Sequence, residues 1–272
     1  MIEFSFKGEK AKVFKTMLDT VQSIISGPRK FDFYPDRIIM ASMENSSSVF
    51  VMFDLKKEFF ESYNVEDASL GLNIDDLKKI LSRSINNDDD ITFKYDNESN
   101  RMIITFTNRS STSEYKTNVH VVDEENADVA GKVKAIPLAN VIDLVGGSLK
   151  TILSDVGVVA QKEFKQLAVR IPDTEHLEFE LKADTTGINA KTKINKIADC
   201  EIINITLADE AVPVESYYDM EYLEKLFRVD NISDSTTLEL DNVHPVRITF
   251  TIDSGNAEFT YLMAPLESDD EM

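Results

Sequence analysis

Residues 12–21, KVFKTMLDTV, return in altered form at residues 149–156 as LKTILSDV. Five consecutive positions from Phe14 match five from Leu149 in their order of apolar residues, lysine and threonine. Apolar residues spaced three and four apart form one face of a helix. The two stretches therefore predict an amphipathic helix in each of two similar halves, offset by about 135 residues.

Three further pairs of blocks match between the halves in the same order along the chain. One pair has the spacing of a helix face, and two alternate apolar and polar residues as half-buried strands do. Their ordered recurrence favours a duplicated domain whose loops have diverged, while similarity between generic amphipathic segments is the alternative. The pairs are IDDLKKILSR (74–83) with MEYLEKLFR (220–228), ITFKYD (91–96) with TTLELD (236–241), and IITF (103–106) with RITF (247–250).

Short segments with strand character dominate the rest of the sequence. Two short helices and many antiparallel strands in each half predict the α+β class, with two similar domains. Ser148 follows two glycines and is the expected N-cap of its helix. Helices are predicted at 8–26, 75–83, 148–155 and 220–228, and strands at 37–43, 48–55, 59–65, 116–122, 140–145, 176–183, 187–194, 201–207 and 257–264.

The bulk composition bounds the kind of protein. A chain of 272 residues suits two domains, and its single cysteine, Cys200, excludes an intramolecular disulfide framework. The sequence contains neither an apolar run long enough to cross a membrane nor the features of a signal peptide. We therefore expect a cytosolic or nuclear protein without membrane contact.

Little in the sequence resembles an active site. His120, His176 and His244 lack metal-ligand spacing, so structural roles are expected for them. The run Asp88–Asp90 is typical of a turn, and Cys200 has no obvious base partner. We expect no catalytic activity, no metal and no cofactor. An acidic enzyme with a duplicated fold is the alternative, and it would require converging titratable groups.

The charge of the chain is unevenly distributed. A formal charge of −20 argues against nucleic-acid binding if it is averaged over the whole surface. The four predicted helices together carry +2, which leaves −22 for all other residues. Helices that lined one surface would make it mildly cationic. The alternative is that each helix presents a solvated face with ion pairs three or four residues apart.

Three further segments are distinctive: MASMENSSSVFVMFDL (40–55), LGLNIDDLKKILSR (70–83) and YLMAPLE (261–267). They resemble the sliding clamps of the proliferating cell nuclear antigen family, and its archaeal members most closely. The resemblance covers the whole chain and implies location at the nucleoid in an archaeon or in the nucleus of a eukaryote. The implied divisions are an N-terminal domain at 1–118, an interdomain connector at 119–137, a C-terminal domain at 138–267 and an acidic tail at 268–272.

The resemblance implies a processivity factor for DNA polymerase in replication and repair. Three subunits with two domains each would form a pseudo-six-fold ring, with sheets outside and helices around a hole that encircles duplex DNA. Such a clamp needs weak phosphate contacts that do not read sequence. The residues implied to face DNA are Lys10, Lys12, Lys15, Lys79, Arg83, Lys150, Lys225 and Arg228.

The resemblance also implies two surfaces that bind protein. A groove beside the connector would take short docking motifs of DNA polymerase, clamp loader, flap endonuclease and ligase. The strand near Tyr115 would pair with the strand near Cys200 of the next subunit, which closes a homotrimer. The implied docking residues are Met43, Ser47, Ser48, Phe50, Ile136, Pro137, Pro245, Met263, Ala264 and Pro265. The implied interface residues are Tyr115, Lys116, Cys200, Ile202 and Ile203.

The sequence departs from the family pattern in two respects. Ser82, Ser154 and Glu221 stand where the family often has basic residues, so a less cationic hole is expected. The connector is rich in Asp, Glu, Ala and Lys where the family has more leucine, which predicts an unusual partner preference. The alternatives within the class are a damage-signalling clamp or one subunit of a mixed ring. The alternative from another class is a protein-binding scaffold that never meets DNA.

Overall fold

The chain divides into two compact units, each with its own apolar core. The computed structural model describes residues 1–83, 85–122, 129–159, 166–183, 188–197, 200–209, 213–242 and 244–266. Unit 1 consists of Met1–Asn45, Val51–Lys134 and Asp253–Phe259. Unit 2 consists of Ser46–Phe50, Ala135–Ile252 and the chain from Thr260 onward.

Unit 1 combines antiparallel strands with short helices. Neighbouring strands follow the order β4-β3-β2-β6-β9-β8-β7-β1-β5. The elements are β1 (Ile2–Lys7), α1 (Gly8–Ile24), β2 (Pro28–Tyr34), β3 (Arg37–Met43), β4 (Val49–Lys56), β5 (Ser62–Val65), β6 (Ala68–Asn73), α2 (Ile74–Leu81), β7 (Asp90–Asp96), β8 (Arg101–Thr107), β9 (Thr112–His120) and α3 (Val129–Lys134), with a 3₁₀ turn at Lys57–Phe59.

The core of unit 1 is largely aromatic. Alternation in β1 buries Phe4 and Phe6 on one face, as the period of two in a strand requires. The ring of Phe4 stacks on Phe93 of β7 with centroids 5.0 Å apart, and that of Phe6 stacks on Phe14 of α1 at 5.1 Å. Each fully buried phenylalanine contributes about 2–3 kcal/mol because its ring is removed from water. This cluster therefore fixes α1 on the sheet.

Unit 2 contains two separate antiparallel sheets in its described residues. One has the order β14-β10-β16-β17-β18, and the other β13-β12-β11-β15. The elements are β10 (Asn140–Val145), α4 (Ser148–Gly157), β11 (Gln166–Asp173), β12 (His176–Ala183), β13 (Ile188–Asn195), β14 (Ile202–Thr206), β15 (Val214–Asp219), α5 (Met220–Glu224), α6 (Phe227–Asp230), β16 (Ser235–Leu240), β17 (Val246–Ile252) and β18 (Ala257–Met263).

Unit 2 repeats the element order of unit 1. In both, one strand precedes the first helix, five strands separate the helical segments, and three strands follow. Thus β10 corresponds to β1, α4 to α1, β13 to β4 and β18 to β9. The predicted α+β class with two similar antiparallel domains is confirmed. The domain limits 1–118 and 138–267 stay a prediction. The two compact units have different bounds, since 46–50 belong to unit 2 and 253–259 belong to unit 1.

A glycine at the junction of strand and first helix serves the same purpose in both units. A Cβ on Gly8 would lie 1.8 Å from the carbonyl oxygen of Asn86, and one on Gly146 would lie 1.9 Å from that of Ser233. In each case the nearby backbone belongs to the loop after the second helical segment. The repeat therefore preserves a close backbone approach that only glycine permits.

Two local predictions are wrong, and one helix was not predicted. Gly147, with φ of 82°, is the N-cap of α4, and Ser148 is already the first helical residue. The segment 220–228 forms two short helices, because the Leu226 N–H bonds to the Leu223 carbonyl and tightens the turn between them. Part of the predicted connector, Val129–Lys134, is helical, while residues 123–128 lie outside the described residues.

Candidate functional site

Helix α1 carries three of the lysines implied to face DNA. Its apolar side packs into the core of unit 1, and its lysines are half-buried or exposed. Lys12 is exposed, and its Nζ donates to Asn87 Oδ1 at 2.5 Å. The buried residues that orient the helix are Gly8, Ala11, Phe14, Met17, Leu18, Asp19, Thr20 and Val21.

The other two lysines of α1 are held by carboxylates. Lys15 Nζ lies 2.7 Å from Asp19 Oδ2, one helical turn further along. Lys10 forms an ion pair with Asp253, and its Nζ lies 5.2 Å from the ring centre of Phe59. A phosphate that binds either lysine must compete with a carboxylate already in contact. Contact with a phosphate at either position would therefore be weaker than the positive charge alone suggests.

Helix α2 is capped by Asn73, whose side-chain oxygen accepts from Asp75 N at 2.9 Å and Asp76 N at 3.3 Å. Acidic residues in the first turn and lysines in the last turn match the helix dipole. Lys79 is exposed and makes no side-chain hydrogen bond or ion pair within the described part of the chain. Arg83, after the helix, lies over the ring of Phe106 at 4.4 Å.

The first helix of unit 2 is anchored by a buried carboxylate. Asp230 is fully buried, and its Oδ2 accepts from the Lys150 backbone N–H while its Oδ1 accepts from Thr236 Oγ1, both at 2.8 Å. Burial raises the pKa of Asp230, and these hydrogen bonds act in the opposite direction. The Lys150 ammonium is only partly buried and donates to Asn231 Oδ1 at 3.4 Å. Asp230 thus fixes the start of α4 and leaves the lysine head at the surface.

The second helical segment of unit 2 carries the last two implied DNA contacts. Asp219 caps α5 by accepting from Glu221 N at 2.8 Å. Lys225 Nζ lies 4.0 Å from the ring centre of Tyr222, a cation–π distance. Arg228 of α6 is exposed, and its guanidinium has no hydrogen bond or ion pair with any described residue. Lys79 and Arg228 are therefore the two implied contacts that are exposed without a side-chain partner among the residues described.

The departures from the family pattern occupy surface positions. Ser82, Ser154 and Glu221 are all exposed on or just after helices. Three neutral or acidic side chains therefore stand where further cations could have contacted an anion. Together with the paired Lys10 and Lys15, they make the helical surfaces of both units only weakly cationic.

The implied docking residues of unit 2 differ in exposure. Ser47, Ser48, Pro137 and Ala264 are exposed, Ile136, Pro245 and Pro265 are half-buried, and Phe50 and Met263 are buried. The Ser48 carbonyl accepts from Ala264 N at 2.9 Å, which joins two of the exposed segments. Met43 is half-buried and belongs to unit 1. Phe50 and Met263, which the resemblance assigned to the docking groove, are therefore not exposed in this structure.

The implied interface residues lie on or just before strands that are only partly paired on one side or unpaired there. Tyr115 and Lys116 of β9 are exposed, and β9 pairs with β8 over Thr112–Asn118 but with β6 only at its last two residues. Ile202 is buried in β14, whereas Ile203 and Cys200 are exposed. In the described chain β14 pairs only with β10. Both segments therefore present backbone groups that another strand could pair with.

Groups of catalytic type do not converge in the part of the chain that the structure describes. His176 Nδ1 contacts the Asp173 carboxylate at 2.7 Å across a hairpin turn, and Asp89 is buried in the predicted turn, where it accepts from Asn86 N at 3.0 Å. No three His, Cys, Asp or Glu side chains among the described residues could hold a metal ion. Within the same residues, every helix is too short or too polar to span a membrane.

Comparison with known proteins shows what the chain is similar to. A model of the proliferating cell nuclear antigen N-terminal domain matches residues 1–128. A DNA polymerase sliding clamp of Pyrococcus furiosus is 27% identical over 264 residues, which are 96% of this chain and 98% of that protein. One of Methanospirillum hungatei is 22% identical over 260 residues, 95% of this chain and 97% of that protein. The crystal structure of PCNA from Thermococcus kodakaraensis has the same fold, with a TM-score of 0.83 at 16% identity, over 98% of this chain and 100% of that chain. The family model thus matches the first 128 of 272 residues, and the chain is similar to DNA polymerase sliding clamps over nearly its whole length.

Sequence reasoning missed the residue that fixes the end of the connector. Arg247 makes two hydrogen bonds of 2.6 Å to the Glu239 carboxylate, and its Nη1 donates to the Ile136 carbonyl at 3.3 Å. Glu239 and Arg247 stand directly opposite each other in the β16–β17 hairpin. The signal that could have revealed this pair is that the two opposite charges stand at equal distances from the hairpin turn.

Proposed function

We propose that the chain is a DNA sliding clamp and acts as a processivity factor for DNA polymerase. The observation that carries the proposal is the repetition of one strand-and-helix plan in both units, each with cations on its helices. The similarity of the chain to DNA polymerase sliding clamps supports it. Three copies would supply six such units around duplex DNA. The ring encloses the DNA, so tethering does not depend on tight binding.

Weak contact with phosphate suits a protein that must slide. Lys79 and Arg228 lead these contacts, because neither must first leave a carboxylate. Lys10 and Lys15 join when a phosphate displaces Asp253 or Asp19. Each contact releases counterions, so the attraction weakens as salt rises and carries no sequence preference. The remaining charge of the chain is strongly negative and repels DNA from other surfaces.

Ring closure is assigned to β9 of one copy and an edge strand of the next. The internal repeat supports β13 as that edge. In unit 1 the Lys56 N–H of β4 bonds to the Asn256 carbonyl just before β18, and in unit 2 the Ala264 N–H just after β18 bonds to the Ser48 carbonyl just before β4. Since β13 corresponds to β4 and β9 to β18, the same pairing between copies joins β13 to β9.

Exposed apolar residues support β13 rather than β14 as the partner of β9. Tyr115 on β9, Ile188 on β13 and Val158 at the end of α4 are all exposed, and α4 packs against β13. The corresponding edge to β14 in unit 1 is β5, which pairs only with β1 in the described chain. The repeat therefore gives no pairing that would bring β14 to β9, although the sequence predicted that strand.

Engineered disulfides distinguish the two pairings. One variant carries Tyr115→Cys beside the native Cys200, and the other carries Tyr115→Cys, Lys191→Cys and Cys200→Ser. On oxidation we expect the second variant to give covalent dimers and trimers and the first to stay monomeric on a denaturing gel. Cross-linking of the first alone would favour the pairing near Cys200 that the sequence predicts.

The surface around Ser48, Ile136, Pro137 and Ala264 is assigned to docking of partner proteins. Its exposed turns and prolines stand above the buried Phe50 and Met263, and an apolar anchor of a short helical motif would contact these through a small rearrangement. Methionine suits this role because its side chain repacks readily. The partners expected are DNA polymerase, clamp loader, flap endonuclease and ligase.

Polymerase assays on primed circular DNA test the proposal. In the presence of a cognate polymerase and loader, we expect the protein to lengthen the products made in one binding event. The Lys79→Glu, Arg228→Glu double variant should lose most of that increase, while Lys56→Glu, at an exposed strand position, should retain it. Products of unchanged length with the wild-type protein would contradict the function.

A further inference from the structure

The edge strand β14 of unit 2 borders an apolar groove that the proposed function does not use. The pairing of β14 with β10 shifts register between Asp143 and Leu144. Such a bulge redirects the side chain of the extra residue, which here is Ile203. Ile203 is 54% exposed although it lies within a strand. The bulge therefore directs an isoleucine away from the core.

Three exposed β-branched side chains meet at this groove. Val145 is 43% exposed, Ile197 is 55% exposed, and both line the groove together with Ile203. The remaining lining residues are Glu175, Lys196, Cys200 and Ile202. Clustered apolar side chains that stay in water mark interaction surfaces more often than isolated ones do.

The corresponding edge in unit 1 shows that the fold does not require such a groove. Strand β5 presents polar side chains that are already bonded. The single O–H of Tyr63 is shared between the Tyr34 and Arg37 carbonyl oxygens, at 2.6 and 2.7 Å, and Ser62 Oγ lies 2.6 Å from Ser5 Oγ. Val65 is buried. One topology thus gives a solvated edge in unit 1 and an apolar edge in unit 2.

Charge around the groove indicates what kind of segment would cover it. Glu175 lines the groove, and the exposed Glu201 and Asp209 stand just before and just after β14. The Lys196 ammonium also lies there but donates to Asn204 Oδ1 at 3.1 Å. Carboxylates at both ends of a short strand favour an occupant with basic residues on either side of an apolar centre.

We propose that the β14 groove binds an extended segment of a partner protein, with alternating apolar residues flanked by lysine or arginine. The segment adds to the sheet as a further strand beside β14, so that backbone hydrogen bonds supply affinity and its alternate side chains contact Val145, Ile197 and Ile203. The inference rests on one part of the proposed function, the assignment of subunit contact to β13, which leaves β14 accessible in the ring.

A designed peptide tests the proposal on the full-length protein. The probe has three valines alternating with threonines and two lysines at each end. Binding is followed by fluorescence anisotropy and by protection of Cys200, the single and exposed cysteine, from alkylation. We expect saturable binding, and an Ile197→Thr, Ile203→Thr variant should bind about tenfold more weakly, since each apolar side chain removed from the groove lowers the affinity.

Two controls show whether binding depends on the groove and on strand pairing. Val121→Thr replaces an equally branched, exposed residue of unit 1 and should leave binding unchanged. A probe with proline at its central position cannot pair as a strand and should not bind. No saturable binding by the wild type, or equal binding by the double variant, would overturn the proposal. So would equal binding of a glutamate-flanked probe.

A second copy of the chain is the competing occupant. Pairing of two β14 strands would double the molar mass of the assembly in a way that the Ile197→Thr, Ile203→Thr variant abolishes, and this result would overturn the partner proposal. The polymerase assay separates the two functions, because we expect this variant to stimulate polymerase as the wild type does. Failure of the peptide test with normal stimulation would refute the groove alone.

Discussion

The two units reach the same order of strands and helices with different interiors. In unit 1 the helix α1 is fixed by stacked rings, with Phe6 against Phe14 and Phe4 against Phe93. In unit 2 the corresponding positions hold aliphatic residues, including Leu144 and Leu149, and the buried Asp230 fixes the start of α4. The difference shows that the duplicated plan specifies where a helix packs, while the chemistry that fixes it can change.

The largest expected effect comes from removing a ring of the aromatic core. Phe6→Ala should lower the free energy of unfolding by about 3–5 kcal/mol, because it removes stacking and leaves a cavity. Leu144→Ala, the corresponding change in unit 2, should cost about 2–4 kcal/mol for the smaller side chain. Urea denaturation followed by circular dichroism measures both. A larger loss from Leu144→Ala would show that the aromatic core does not give unit 1 the stronger anchor.

Gly8 and Gly146 test the close backbone contact that the two units share. Gly8→Ala and Gly146→Ala should each destabilise by about 1–3 kcal/mol, because a new Cβ meets a backbone carbonyl that must move. Similar losses in the two variants are expected, since both contacts are under 2 Å before relaxation. Gly147→Ala should act differently, through its positive φ, because a Cβ there meets nothing within 4 Å. If Gly8→Ala left the free energy of unfolding unchanged, the two units would not share this constraint.

The helix cations differ in whether a carboxylate already pairs with them. Lys79→Glu with Arg228→Glu should reduce the slope of log K for DNA against log salt by about 2, since each of the two cations neutralises one phosphate. Lys10→Glu with Lys15→Glu should reduce it less, because both lysines are paired already. Asp19→Asn, which releases Lys15, should strengthen binding slightly at low salt. Equal slopes for all variants in a salt titration would show that the pairing has no influence.

The smallest expected effect concerns pH. Burial raises the pKa of Asp230, so the folded protein takes up a proton at higher pH than the unfolded chain. Relative to Asp230→Asn, the wild type should therefore lose stability as pH rises from about 4 through the folded pKa, and the difference should then level off. Asp54 of unit 1, whose pKa is also raised by burial, should show a weaker trend because Arg37 lies 3.0 Å away. A difference that grows in favour of the wild type would contradict this sign.

Much of the fold could be predicted from sequence, because the alternation of a strand and the spacing of a helix face are local patterns. The bounds of β10 and β12 follow directly from alternation in 140–145 and 176–183, and α1 follows from the spacing around Phe14. The break between α5 and α6 could not be predicted, because a single 3₁₀ bond at Leu226 decides it. The helix at 129–134 was missed since its charged, glycine-containing sequence equally suits a linker.

The candidate site could be predicted only as far as residue type. Lys15 and Asp19 are four apart, so their pairing had a local signal, but Lys10 meets Asp253 from the far end of the chain. The role of Asp230 depends on the fold bringing residue 230 to residue 150. Which strands lie at a sheet edge likewise depends on the order of strands in the sheet. That β13 is an edge strand is therefore seen only in the structure.

The molar mass of the protein in solution tests the central claim most directly. Edges that pair head to tail and close after three copies predict three times 30.7 kDa by light scattering, with no change on further concentration. Mass that stays at 30.7 kDa, or that keeps growing with concentration, would contradict a closed ring of identical chains.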